Sequence, residues 1–281
     1  MRHVSDDSRL PAIQHGFTLV EMIISIVIAG IVVAMVSLFG RNQIEAYIDV
    51  GNRAELADAA DTALRRIARD LQGGLPNSVR ESGGAFLEFV PVHDAGRYRA
   101  DVDNAGAGDF LDFSSTTDDS FDVLGPSVTI TAGDQLVVYN LGVPGSNVYD
   151  NDSSRRPITT APGTVSNIRY QLGAAPNQQF VQPSPLNRFH LVGAPVTYQC
   201  VPNAANPELG VILRHTGYGF NAAQPLAFAG GAVLVNNVAA CAFMYSQAVL
   251  QRNGLVVLRL TLTRNGESVQ LLHQVEVLNK P

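Results

Sequence analysis

The sequence predicts an α+β chain: one long amino-terminal helix packed on a mainly antiparallel β-sheet domain. Three observations carry this prediction. The run from Phe17 to Phe39 is 23 residues long and holds a single charge, Glu21. Apolar residues from Leu56 to Leu71 then recur at three- and four-residue steps, the spacing of one helix face. Beyond Pro76, short apolar runs alternate with turn residues, in a chain with 25 Gly, 15 Pro and 16% charged residues. That mix suits loop-rich β structure better than a helical bundle.

The first segment, Met1–Gly16, contains Arg2, Arg9, Asp6 and Asp7 and has no apolar region of its own. It is therefore not an ordinary secretory signal peptide. No small-x-small cleavage site follows the apolar run, so 17–39 stays on the mature protein as an anchor. At about 1.5 Å per residue it forms a helix of roughly 35 Å, enough to cross a hydrocarbon core about 30 Å thick. A carboxylate within such a helix is costly unless it finds a partner. Glu21 therefore reads either as a charge that meets a partner in an assembly or as a side chain reaching the membrane surface. Gly30 lies mid-helix, and Ala34 four residues on gives only a weak small-residue pattern.

From 40 to 72 the same helix changes character. Arg41, Glu45, Asp49, Arg53, Glu55, Asp58, Asp61, Arg65, Arg66, Arg69 and Asp70 interleave with Ile44, Ile48, Leu56, Ala60, Ala63, Leu64, Ile67 and Leu71. Gly51 is a weak point that could kink it. The helix should stop at Leu71-Gln72, because Gly73-Gly74-Leu75-Pro76 supplies a C-cap glycine and then a proline. The first half suits lipid or other apolar helices; the second can cover a sheet.

The remaining 73–281 should form one β-rich globular domain with a single core. The expected strands are Ala85–Val92, Val128–Thr131, Gln135–Asn140, Asn167–Leu172, Arg188–Val192, Val196–Cys200 and Val211–His215. Four more, Ala232–Val238, Cys241–Ser246, Leu255–Thr263 and Val269–Val277, read as a consecutive antiparallel meander. The turns Arg252-Asn253-Gly254 and Asn265-Gly266-Glu267 carry hairpin signals. An Asp- and Gly-rich segment from Asp94 to Asp122 holds eight aspartates. Asn140–Thr164 and Gln171–Pro185 read as long loops.

Two cysteines, Cys200 and Cys241, are present with no third. An exported domain sits where disulfides persist, so one bridge between them is the simple expectation; two buried free thiols are the alternative. Their spacing does not suit a zinc site.

Candidate chemistry is sparse. Asp101, Asp103, Asp109 and Asp112 fall at positions 1, 3, 9 and 12 of an EF-hand-like loop with Gly106 at 6. Ala105 replaces one ligand, and no helices flank the loop. It reads first as a solvated acidic loop leading into a strand at Phe110–Phe113, with calcium as the alternative. His93, His190, His215 and His273 lack metal-ligand spacing. Arg97-Tyr98-Arg99 is a compact basic patch expected to pair with nearby aspartates, with contact to a neighbouring subunit or DNA as the alternative. A net charge of −6 and a pI near 5.4 leave no broad basic surface for nucleic acid. No nucleophile elbow, phosphate loop or zinc-protease motif is present, so neither enzymatic activity nor a cofactor is expected.

Gly16-Phe17-Thr18-Leu19-Val20-Glu21 resembles the type IV prepilin processing motif. The resemblance implies cleavage between Gly16 and Phe17 by a prepilin peptidase/N-methyltransferase, N-methylation of Phe17, and the type IV pilin fold. It also implies that Glu21 meets the cationic amino terminus of a neighbouring subunit. The layout of the long helix, Leu75–Arg80, Phe89–Val92, Gly96–Arg99, the two cysteines and the ending Leu272–Val277 resembles the MshO-like minor pilins of the mannose-sensitive haemagglutinin (MSHA) pilus. It is similar in outline to J-type pseudopilins of type II secretion and to W-type minor pilins, and calcium is known in some pseudopilins. These resemblances imply a single-pass inner-membrane protein with a periplasmic domain that joins a pilus, in its initiating or tip complex. Its partners would be other pilins and the inner-membrane assembly platform. A secretion pseudopilin, or a tip adhesin using the loops of Asn140–Pro185, are the alternatives.

Overall fold

The computed structural model describes residues 16–150, 154–175, 178–247 and 253–279. The chain divides into two units, one ending at Gly51 and one running from Asn52 to the carboxyl terminus. The expected segment Met1–His15 and the start of the Arg252-Asn253-Gly254 turn lie outside the described residues. A single helix, α1 (Leu19–Gln72), ends where the glycines and proline place its stop, and it stays helical through Gly51.

Termination at Gln72 does not use a left-handed glycine, since neither Gly73 nor Gly74 has positive φ. The N–H of Gly73 reaches Arg69 O, and Gly74 reaches Leu71 O. Gly74 is required for closeness instead: a Cβ there would lie 3.0 Å from Leu71 O and 3.3 Å from the Phe89 ring. The chain then bonds straight onto the next strands, with Leu75 N to Val90 O at 2.7 Å and Val92 N to Gly73 O at 3.1 Å.

The unit from Asn52 contains three main sheets, and every described strand pairing in it is antiparallel. In chain order its strands are β1 (Arg80–Ser82), β2 (Phe86–Phe89), β3 (Val92–Tyr98), β4 (Ser120–Leu124), β5 (Val128–Ile130), β6 (Gln135–Val138), β7 (Arg155–Pro157) and β8 (Gly163–Val165). They continue with β9 (Asn167–Arg169), β10 (Arg188–Val192), β11 (Val196–Val201), β12 (Val211–His215), β13 (Ala232–Asn236), β14 (Val238–Ser246), β15 (Gly254–Arg264) and β16 (Glu267–Val277). One sheet has the order β1-β2-β11-β12-β13, a second β7-β6-β10-β3-β4-β9, and the third is the meander β14-β15-β16; β5 and β8 pair separately.

The meander is one strand shorter than the sequence implies, because β13 pairs with β12 in the first sheet. Its β15–β16 turn is as expected, with Asn265 and Gly266 both at positive φ (54° and 81°), the conformation that lets two residues reverse a twisted hairpin. Other differences lie in the Asp-rich and loop segments. Ala85–Val92 is not one strand but two, and β3 continues through Asp94. Gly96 permits that course, since a Cβ there would sit 2.8 Å from the Phe189 ring. The strand expected at Phe110–Phe113 is instead turn and coil, where Asp112 Oδ1 accepts from the Ser114 N–H and hydroxyl. Side-chain capping of this kind competes with a ladder, and the strand forms later, as β4. β1 has no counterpart among the expected strands, and β7 and most of β8 lie inside the stretch 140–164 expected to be loop.

The apolar side chains form three clusters rather than one core. In the largest, Leu56, Ala60, Ala63, Leu64, Ile67, Ala68 and Leu71 of α1 pack with Phe243, Val256, Leu258, Leu260, Leu262, Val275 and Val277 of the meander. Leu87, Phe89, Val196, Tyr198, Ile212 and Val235 of the five-stranded sheet join the same cluster. The helix residues are those the three- and four-residue spacing selects. Cys200 of β11 and Cys241 of β14 are bonded, with Cα atoms 5.9 Å apart, tying this sheet to the meander. A second cluster fills the six-stranded sheet around Phe121, Phe189, Tyr98 and Tyr170, with the Phe121 and Phe189 rings 5.3 Å apart. A third gathers Leu75, Val90, Val137, Val148, Tyr149 and Val192 where the helix exit meets the sheets.

Ile67 is fully buried, so Ile67→Ala should destabilise the folded domain by about 2–5 kcal/mol, read as a lowered midpoint in thermal or urea unfolding. His190, half-buried in β10, has its pKa pushed down to about 4 by burial and then by Arg188. The folded state therefore binds fewer protons than the unfolded one below the ordinary histidine value. Stability from this residue is complete above about pH 6.5 and is lost progressively as pH falls towards 4. His190→Gln should flatten that window in unfolding midpoints measured between those two pH values.

Candidate functional site

The amino-terminal segment is built from an exposed start and an exposed apolar surface. Gly16 and Phe17 precede the helix outside any regular element, Phe17 is 79% exposed, and among the described residues no atom beyond the chain neighbours lies within 4 Å of where a Cβ on Gly16 would stand. Thr18 is the N-cap: its Oγ1 accepts the Glu21 N–H at 3.2 Å, while its carbonyl accepts from Met22 at 3.1 Å. Thr18 and Glu21 stand in the Thr-x-x-Glu spacing of a capping box, a signal present in the sequence beside the cleavage motif. Glu21 in the first turn also faces the positive end of the helix dipole. Its position is set by helix start chemistry as well as by the surroundings of its carboxylate.

From Leu19 to Phe39 the helix is 21 residues of apolar character, long enough to cross a membrane, and none of it is buried. Ile23, Ile24, Val27, Ile28, Ile31 and Val32 are each more than half exposed, so the surface is apolar all round and not a stripe. The two serine hydroxyls in it are satisfied locally. Ser25 Oγ donates to Glu21 O and Ser37 Oγ to Val33 O, both at 2.7 Å. Glu21 is left as the one charged side chain on this surface, and water is not the solvent such a surface is made for.

The acidic candidates are spread out. Asp103 Oδ1 accepts the N–H groups of Ala107 and Ala105, and these bonds hold its carboxyl below the usual range. Asp112 is held low by Ser114. Asp101 Oδ1 accepts the N–H of Val102, next to it in sequence. Asp109 Oδ2 and Asp122 Oδ1 share the Asn167 side-chain amide, at 2.9 and 3.1 Å, and that amide leads the causes lowering Asp122. Among the described residues no three His, Cys, Asp or Glu side chains converge as metal ligands do. Asp118, where burial dominates, is pushed up instead.

Of the basic patch, Tyr98 is core, and Arg99 pairs with Asp122 at 3.3 Å. Among the histidines, His93 Nδ1 lies 2.6 Å from Asp134 Oδ1, and His215 stacks on Phe228 at 4.2 Å while bonding Gln199. His273 is half-buried in β16.

Residues 12–37 match the family model described as the prokaryotic N-terminal methylation motif. No curated protein and no solved structure matches the chain. The matched span contains Gly16, Phe17 and Glu21 and most of the exposed apolar helix. It supports a prepilin-type, type IV pilin-like protein. The same motif supports association with other pilins and with prepilin peptidase, and together with the apolar helix it supports attachment to the inner membrane.

Proposed function

We propose that this chain is a minor pilin-type subunit, cut between Gly16 and Phe17 and methylated on Phe17. It waits in the inner membrane with its β domain in the periplasm, then joins a type IV pilus of the MSHA kind within the initiating or tip complex. The observation that carries this reading is the coincidence of the methylation motif at 12–37 with a wholly exposed apolar helix holding one carboxylate. The placement in an MSHA-type fibre rests on the layout resemblance alone. In the assembled state the apolar surface of 19–39 would pack against like helices. Glu21 would then face the new ammonium group of a neighbour in a low-dielectric setting, where losing one partner strands the other charge.

Two variants test it. Gly16→Ala should leave an uncut precursor, heavier on a gel and unmethylated by mass spectrometry of its amino terminus; normal maturation would sink the cleavage assignment. Glu21→Ala should be processed and inserted normally yet be lost from sheared pilus fractions, with Glu21→Gln showing the same loss. Wild-type incorporation of both would refute the assembly role.

A further inference from the structure

The meander ends in an edge strand that is long and lightly guarded. β16 pairs with β15 at all 11 positions from Glu267 to Val277, without a register break. It is terminal in its sheet, and among the described residues no backbone hydrogen bond reaches its outer side. By contrast, register shifts interrupt the ladders of β10, β12 and β14. Open edges are normally blunted with lysine, proline, bulges or a covering segment. β16 contains no lysine, arginine or proline, and its two acidic residues, Glu267 and Glu276, lie at or near its ends. Glu267 is already engaged by Arg53.

The strand's sequence adds a second observation. Val269-Gln270-Leu271-Leu272-His273-Gln274-Val275 reads nearly the same in both directions about Leu272. Valine matches valine, glutamine matches glutamine, and only Leu271 and His273 differ. An antiparallel strand pair with a two-fold axis sets each residue opposite its mirror in sequence, so a near-palindrome is complementary to itself.

We propose that the outer edge of β16 pairs antiparallel with the same edge of a second copy of this chain, with the two-fold axis at Leu272. On the outer face Leu272, 53% exposed, meets its twin. Gln270 meets Gln274 and can exchange side-chain amide bonds with it, while Ser268 meets Glu276. On the inner face Val269 meets Val275 and Leu271 meets His273. No like charges are opposed anywhere in this register, which is the condition cross-strand pairs impose. Moving the axis one residue either way, to Leu271 or His273, breaks the glutamine match, and at His273 it also sets two imidazoles face to face. The pairing uses no residue of the amino-terminal helix, so it stands apart from the pilin reading.

Engineered cysteines in the full-length membrane protein test this. Cys200 and Cys241 are bonded to each other and no described cysteine is free, so an added thiol reports alone. Leu272→Cys should shift the protein from monomer to dimer on a non-reducing gel after mild oxidation, because paired Cα atoms lie within disulfide reach. Ser268→Cys should stay monomeric, and Ser268→Cys with Glu276→Cys should restore the dimer. Leu272→Lys, which sets two ammonium groups at the axis, should abolish dimer seen by native mass spectrometry in detergent. Monomeric Leu272→Cys, equal dimer from Ser268→Cys alone, or capture of a different protein at position 272 would each overturn the proposal.

Discussion

Burying the apolar face of α1 from Leu56 to Leu71 against two different sheets is what makes those sheets meet. The meander offers Leu258, Leu260 and Leu262 to the helix, and the five-stranded sheet offers Leu87, Phe89 and Tyr198. Removing the helix would strand both inner faces in water at roughly 25 cal/mol per Å² of apolar area. Small residues at Ala60, Ala63 and Ala68 allow close approach, and Ile67 and Leu71 fill the space between. The polar edge of the same face is fixed too: Asp70 accepts the Tyr198 hydroxyl at 2.7 Å and lies 3.4 Å from Arg214. The Cys200–Cys241 bridge holds the two sheets to each other beside this helix, so burial and covalent linkage enforce the same arrangement.

The first part of α1 obeys the opposite rule. Its side chains are apolar all round, and its serine hydroxyls bond back to the helix. A surface of that kind suits lipid or similar helices. A single carboxylate in such a surface is tolerated where the helix begins, because Thr18 and the dipole stabilise the first turn around it. The carboxylate oxygens keep their capacity for an external cation.

Periodicity makes much of this legible from the residues alone. The helix end, the buried face of α1, strands such as Arg188–Val192 and Val211–His215, and the Asn265-Gly266 turn all follow local patterns strong enough to survive tertiary context. The start of the chain is legible for a different reason, since Gly16, Phe17 and Glu21 form a compact motif. What stays hidden depends on distant partners. β3 runs through Asp94 and Gly96 because Phe189 lies against that glycine, and β7 forms in a polar stretch because β6 needs a neighbour. Asp112 has the spacing of a candidate ligand and the place of a strand residue, but its carboxylate is committed to Ser114. The Thr18 cap is local and readable, yet it is masked by the apolar run that begins beside it.

Charge at the top of the packed helix shows how weak interactions still specify. Arg53 pairs with Glu267, and Glu55 pairs with Arg264, which also approaches Asn52 at 3.5 Å. Arg53 and Glu55 remain largely exposed, so each pair contributes little to stability, in the range of about 0–1 kcal/mol. Their value lies in polarity. The acidic and basic members alternate between helix and hairpin, and sliding the β15–β16 turn along α1 would oppose like charges or leave both pairs open. The apolar contacts farther down the helix are tolerant of small shifts, because one leucine can pack much as another does. Directional pairs at the hairpin tip are not, and they select one register from the several that hydrophobic burial alone would accept.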